Sequence, residues 1–119
     1  MKILVIEDEP DYISLLRSRL SSLGHEVIDA ADGLEGIKLA KSNQPDLILL
    51  DIMMPGLNGF AICRELKADP LMENVPVLIL TALGMDDLSL RCREVGADDW
   101  LIKTATAKQL IDKVAALTK

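Results

Sequence analysis

From end to end the chain alternates short apolar runs with amphipathic stretches, and that alternation leaves few folds open. The runs Ile3-Leu4-Val5-Ile6, Leu47-Ile48-Leu49-Leu50 and Val77-Leu78-Ile79-Leu80 are continuous rather than alternating, as in strands buried on both faces. Strands are expected at Lys2 to Glu7, Glu26 to Ala30, Asp46 to Leu50, Val77 to Leu80 and Trp100 to Ile102. Five strand-helix units make an α/β protein with a doubly wound parallel sheet, because parallel crossovers are right-handed almost without exception. The expected strand order is 2-1-3-4-5, with five helices on the two faces. In that order the winding reverses between strands 1 and 3, and ligands bind at such a switch point, outside the carboxyl ends of the strands.

The intervening stretches carry helix signals. Pro10 suits a first turn, and the helix is expected to bury Ile13, Leu16, Leu20 and Leu23 at three-and-four spacing before Gly24 ends it. Asp32-Gly33 turns the chain into a second helix bearing Leu34 and Ile37, which ends before Pro45. A third runs from about Asn58 to the Asp69-Pro70 break, with Ile62, Cys63 and Leu66 inward. The fourth caps on Asp86 or Asp87, places Leu88, Cys92 and Val95 on one face, and stops at Gly96. Thr106-Ala107-Lys108-Gln109 has the form of a capping box, and the last helix presents Leu110, Val114 and Leu117 inward.

Residues 1–119 are read as one domain, large enough to bury a core. With 13 basic against 19 acidic side chains the net charge is −6, which disfavours direct binding to nucleic acid. Cys63 and Cys92 lack metal-site spacing and are expected to be buried thiols. Met1-Lys2 is followed by only four apolar residues before Glu7, too few for a signal-peptide core, and no stretch approaches a membrane span of about 20 residues. A cytoplasmic protein is expected.

Chemistry is concentrated at the strand ends. Ile3-Leu4-Val5-Ile6 runs into Glu7-Asp8-Glu9, and Leu47-Ile48-Leu49-Leu50 runs into Asp51. If the two strands are neighbours, acids converge at about 4.8 Å strand spacing, where like charges disfavour one another unless a cation intervenes. A bound divalent metal is the expected remedy. Thr81 and Lys103 end the fourth and fifth strands, so each of four strands delivers a functional group to one edge. Carboxylates, a hydroxyl and an ammonium meet the needs of phosphoryl transfer to a carboxylate, with Asp51 as nucleophile, Glu7 and Asp8 helping to hold Mg²⁺ (or Mn²⁺), and Thr81 and Lys103 binding the transferred group. His25 reads as a surface residue. Tyr12 and Phe60, at the starts of helices beside the site, read as cover for the core edge.

Four segments in this order, Ile6-Glu7-Asp8-Glu9-Pro10, Leu50-Asp51-Ile52-Met53-Met54-Pro55-Gly56-Leu57-Asn58-Gly59, Thr81-Ala82 and Gly96-Ala97-Asp98-Asp99-Trp100-Leu101-Ile102-Lys103, resemble a response-regulator receiver domain of the chemotaxis-Y type. The resemblance covers essentially the whole chain and implies a flavodoxin-like fold. It implies a phosphorylation-activated switch in a two-component system rather than an enzyme, at most one that phosphorylates itself from small donors and dephosphorylates itself. Asp51 would accept a phosphoryl group from a sensor histidine kinase or phosphotransfer protein. The Met53 backbone carbonyl would join the metal ligands, and Thr81 and Trp100 would form the switch. Output would pass through the face of helix 4, strand 5 and helix 5, to an unidentified partner or effector domain or to a second copy in a homodimer. The chain departs from the family at Thr104, where proline usually follows the lysine, and at Trp100, bulkier than the usual Tyr or Phe. Met53 and Leu83 stand where many relatives carry polar groups, which implies slow loss of the phosphoryl group.

Two other functions on the same strand-end chemistry are weighed. A haloacid-dehalogenase-like phosphatase needs a second acid two residues after its nucleophile, where this chain has Met53. A flavin-binding protein needs a phosphate-friendly first loop, where Glu7-Asp8-Glu9 repels. A pseudo-receiver acting only as a protein-interaction module remains the third alternative.

Overall fold

The computed structural model describes residues 1–54, 58–82 and 87–118. Pro55, Gly56, Leu57, Leu83 and Asp86, singled out above, lie outside the described residues.

The elements run β1 (Lys2–Ile6), α1 (Pro10–Ser21), β2 (Glu26–Ala30), α2 (Gly33–Asn43), β3 (Leu47–Asp51), α3 (Gly59–Ala68), β4 (Val77–Thr81), α4 (Leu88–Glu94), β5 (Asp99–Ile102) and α5 (Ala107–Leu117). The sheet order is β2-β1-β3-β4-β5, with every described pairing parallel. This is the expected doubly wound architecture, its reversal of winding falling between β1 and β3.

Period-two geometry sorts the strands' side chains between two cores. Ile3, Val5, Leu47, Leu49, Leu78, Leu80 and Leu101 face α1 and α5, packing with Leu16, Leu20, Leu110 and Val114. Leu4, Ile6, Ile48, Leu50, Val77 and Ile79 face the other helices, packing with Ile37, Ile62, Cys63, Leu66, Leu88 and Cys92. Burial on both faces is why these runs are continuously apolar. Local signals agree with the helix limits. Asp32 accepts the Glu35 amide at 2.8 Å, Asn58 accepts the Phe60 amide at 2.9 Å, and the Thr106–Gln109 capping box closes in both directions. Gly24 and Gly96 end their helices at φ +89° and +82°, where an L side chain is strained.

One assignment to the core, Leu23, is corrected, and Leu34 of the second helix is exposed too. Leu23 is 50% exposed and Leu34 63% exposed. Leu23 falls beyond the last turn of α1, in the turn around Gly24, so helical periodicity no longer directs it inward. Leu34, in the first turn of α2, falls to one side of the buried face that Gly33, Gly36, Ile37 and Ala40 carry. Leu117 is only partly buried, at the end of α5.

One close approach ties α3 to the end of β3. A Cβ on Gly59 would lie 2.3 Å from Ile52 Cα and 2.9 Å from the Asp51 carbonyl oxygen, both backbone atoms. A Cβ on Gly36 would meet only the side chain of Ile6, nearest at its Cδ1 tip, 2.5 Å away. Gly59→Ala should therefore lower stability by about 1–3 kcal/mol, and by more than Gly36→Ala, since backbone cannot rotate aside as a side chain can. Urea unfolding of the two variants checks the order.

Candidate functional site

The register that places Ile6 beside Leu50 brings Glu7 beside Asp51, and Thr81 pairs with Ile102, one residue before Lys103. Backbone bonds lock these ends together: the Lys103 amide donates to the Thr81 carbonyl at 2.7 Å, and the Ile52 amide to the Leu80 carbonyl at 3.2 Å. Glu7, Asp51 and Thr81 are all buried, and Asp8 is exposed. By strand parity, Glu7 and Asp51 continue the rows of Val5 and Leu49 toward α1 and α5, whereas Thr81 continues the row of Ile79 toward the other helices. The site thus straddles the carboxyl edge of the sheet.

Lys103 Nζ lies 3.1 Å from Asp51 Oδ2 and 3.0 Å from Glu7 Oε1, donating to both. It is also 2.9 Å from Glu7 Oε2, an ionic contact in which that oxygen accepts no hydrogen bond among the described residues. The other oxygens are held by backbone: Asp51 Oδ1 accepts the Met53 amide at 2.9 Å, and Glu7 Oε1 also accepts the Glu9 amide at 3.1 Å. One ammonium therefore serves two buried carboxylates. Burial, partly offset by the hydrogen bond from Lys103 and reinforced by the charge of Asp51, pushes the Glu7 carboxyl up to about 7 from 4.5. Burial pulls the Lys103 ammonium down, but its bonds to Glu7 and Asp51 outweigh this and raise it.

Glu7, Asp8 and Asp51 each offer a carboxylate oxygen, all within 4.8 Å of one another. Ligands on opposite sides of Mg²⁺ lie about 4.2 Å apart at its bond length of about 2.1 Å, so these acids fit an ion that keeps several waters and binds one or two carboxylates directly. The structure therefore unites Glu7, Asp8, Asp51 and Lys103. Thr81 stands at the neighbouring strand end, and its backbone is bonded to that of Lys103. Met53 is 69% exposed and places an apolar side chain where a phosphatase needs its second acid. The peptide joining Lys103 to Thr104 is trans.

Trp100 is half-buried in β5, packs against the α2, α3 and α4 side of the core, and donates its indole N–H to Ser89 Oγ at 3.2 Å. Cys63 and Cys92 are buried, and burial pushes the Cys63 thiol up to about 12, which leaves it inert. Two aromatic contacts have no counterpart in the sequence pattern: Arg91 lies 4.2 Å over the Phe60 ring, and Lys103 Nζ 4.9 Å from the Tyr12 ring centroid. An aromatic in the first turn after the acidic loop is the only signal for the second. No helix among the described residues is long and apolar enough to cross a membrane.

The family model for the response regulator receiver domain matches residues 3–115. The chain belongs to that family, the phosphorylation switches of two-component signalling. It is 39% identical over 118 residues to the DNA-binding dual master transcriptional regulator RpaA of Synechocystis sp., a match covering 99% of this chain and 49% of that protein. A match of the same identity and extent to response regulator PleD of Caulobacter vibrioides covers 26% of that protein. The chain thus spans about half the length, or less, of these curated relatives. Among solved structures, the chemotaxis protein CheY4 of Vibrio cholerae superposes with a TM-score of 0.92 at 27% identity, covering 98% of this chain and 97% of that one. The BeF3-activated N-terminal receiver domain of Klebsiella pneumoniae RstA gives 0.90 at 29% identity, covering 100% and 99%.

The raised Glu7 carboxyl sets a pH dependence. Between pH 4.5 and about 7 the folded state holds a proton that the unfolded state has lost, so this group's contribution to stability is fully present below 4.5 and declines as pH rises to about 7. Glu7→Gln should therefore gain in melting temperature relative to the parent on going from pH 5 to pH 8 in metal-free buffer. The expected gain is at most a few kcal/mol, because each tenfold change in proton affinity is worth about 1.4 kcal/mol. A constant difference between variant and parent across that range would remove Glu7 as the group responsible.

Proposed function

We propose that residues 1–119 act as a single receiver that takes a phosphoryl group from a sensor histidine kinase or phosphotransfer protein onto Asp51. The observation that carries this reading is the Lys103 ammonium 3.1 Å from a buried Asp51 carboxylate, inside a cluster of acids at the switch point of the sheet. An Asp51 oxygen attacks phosphorus, a P–O bond forms and the P–N bond of the donor phosphohistidine breaks. Its electron pair returns to the imidazole, which leaves neutral because its other nitrogen carries a proton.

Glu7, Asp8, Asp51 and the Met53 carbonyl would hold Mg²⁺ (or Mn²⁺), directly or through water, and the bound ion would neutralise charge on the carboxylates and the incoming phosphoryl oxygens. Lys103, already beside Asp51, pairs with one phosphoryl oxygen. Thr81, at the end of the next strand, donates its hydroxyl to another. Drawing Thr81 toward the phosphoryl group opens space beside Trp100 and alters the face of α4, β5 and α5, through which the chain contacts its output partner, an effector domain or a second copy. The exposed apolar Met53 offers no group to orient a hydrolytic water, which supports slow loss of the phosphoryl group.

The test is intact mass after incubation with Mg²⁺ and acetyl phosphate. One added phosphoryl group is expected in the parent and none in Asp51→Asn. No uptake by the parent would leave a module that acts by interaction alone, and uptake by Asp51→Asn at the parental rate would place the acceptor elsewhere.

The charge balance generates a second prediction. Asp51→Asn leaves Lys103 with Glu7 and the more distant Glu9 and removes one of the acids that repel one another. It should melt higher than the parent without Mg²⁺ and lose most of the parent's Mg²⁺ stabilisation. Differential scanning calorimetry with and without Mg²⁺ measures both.

A further inference from the structure

We propose that Tyr12 is a positioning residue of this site, its ring holding the Lys103 ammonium against Asp51 and Glu7; the proposal rests on the function given above. Lysine is a point charge on a flexible four-carbon stem and does not fix its own direction. Here the stem leaves the end of β5, and the Nζ must reach across β4 to the end of β3. On one side it meets Glu7 and Asp51. On another it meets the Tyr12 ring, whose centroid is 4.9 Å away, inside the reach of about 6 Å over which a ring face attracts a cation.

Tyr12 is suited to this by its anchorage. It lies in the first turn of α1, and its ring packs against the core shared by β1, β3, α1 and α5, the side toward which Glu7 and Asp51 point. The ring is therefore fixed by packing, not by the lysine. It covers ammonium surface that water would otherwise occupy, and the Lys103 side chain is only 14% exposed. The remaining nearby acid, Glu9, has its Oε2 4.0 Å from Nζ and is largely exposed, a competing partner that would draw the ammonium outward. A ring face that adds no carboxylate keeps the lysine inward and leaves Asp51 the less-shared partner for an incoming phosphoryl group.

The experiment compares the parent with Tyr12→Phe, Tyr12→Leu, Lys103→Met and the Tyr12→Leu/Lys103→Met double variant. Each is followed by the rate of phosphoryl uptake from acetyl phosphate at saturating Mg²⁺ and by urea unfolding. Tyr12→Phe keeps the ring and should stay within about twofold of the parental rate. Tyr12→Leu, which keeps apolar bulk without the ring face, should slow uptake by roughly three- to thirtyfold, the rate equivalent of losing the ring-cation attraction. In the Lys103→Met background it should slow uptake no further, and the two substitutions should be non-additive in unfolding. Tyr12→Met stands in if Tyr12→Leu does not fold. A parental rate in Tyr12→Leu, equal slowing with and without Lys103, or additive unfolding would overturn the proposal. If the parent takes up no phosphoryl group, the function proposed above fails. The unfolding cycle then decides on Tyr12 alone: coupling retains its hold on Lys103, and additivity ends it.

Discussion

A single ammonium, that of Lys103, stands between two buried carboxylates at the carboxyl edge of the sheet. Asp8 brings a third acid within 4.8 Å of the pair. Folding thus assembles more negative charge than it neutralises, and burial first, with the charge of Asp51 adding to it, pushes the Glu7 carboxyl up to about 7. A cluster in this state favours whatever adds positive charge: a proton at Glu7, or a divalent ion. Removing Lys103 would leave the acids without their ion-pair partner, and removing an acid would ease their mutual repulsion. The stability of the fold and the readiness of the site therefore pull in opposite directions at the same residues.

The sheet makes this assembly inescapable. Short runs such as Ile3 to Ile6 and Leu47 to Leu50, apolar at every position, suit strands covered on both faces, and helices lie between them in sequence. The right-handed crossover rule then leaves few orders, and the one expected and found puts β1 and β3 adjacent and running out at the same edge. For that reason the meeting of Glu7, Asp8 and Asp51, and the approach of Thr81 and Lys103 from the next two strands, was legible in the order of residues alone. Likewise the helix ends were written in Asp32, Asn58, Thr106, Gly24 and Gly96, each acting through its own backbone or through a bond a few residues away.

What stayed hidden depends on distances between segments far apart in sequence. Leu23 and Leu34 carry the right residue type at nearly the right spacing, yet helix ends and a buried face set by Gly33, Ile37 and Ala40 leave both exposed. The contact of Tyr12 with Lys103 joins α1 to the end of β5, and its one local sign is an aromatic in the first turn after the acidic loop. Nor does sequence alone say which acids of the first loop are buried: Glu7 is wholly buried and ion-paired while Asp8 faces solvent. Trp100 shows the same limit. Its place three residues before Lys103 is plain, but its hydrogen bond to Ser89, which ties β5 to α4, depends on how those elements pack.

The deficit of positive charge can be measured directly by counting the protons released when Mg²⁺ binds. Calorimetric titration of the protein with Mg²⁺, repeated in buffers of different ionisation enthalpy, gives that number at each pH. With Glu7 held protonated to about 7, release should approach one proton per ion near pH 6, decline to none by about pH 8.5, and be abolished in Glu7→Gln. Mg²⁺ binding with no proton release at any pH in this range would contradict a cluster short of positive charge, because Glu7 would then already be ionised before the ion arrives.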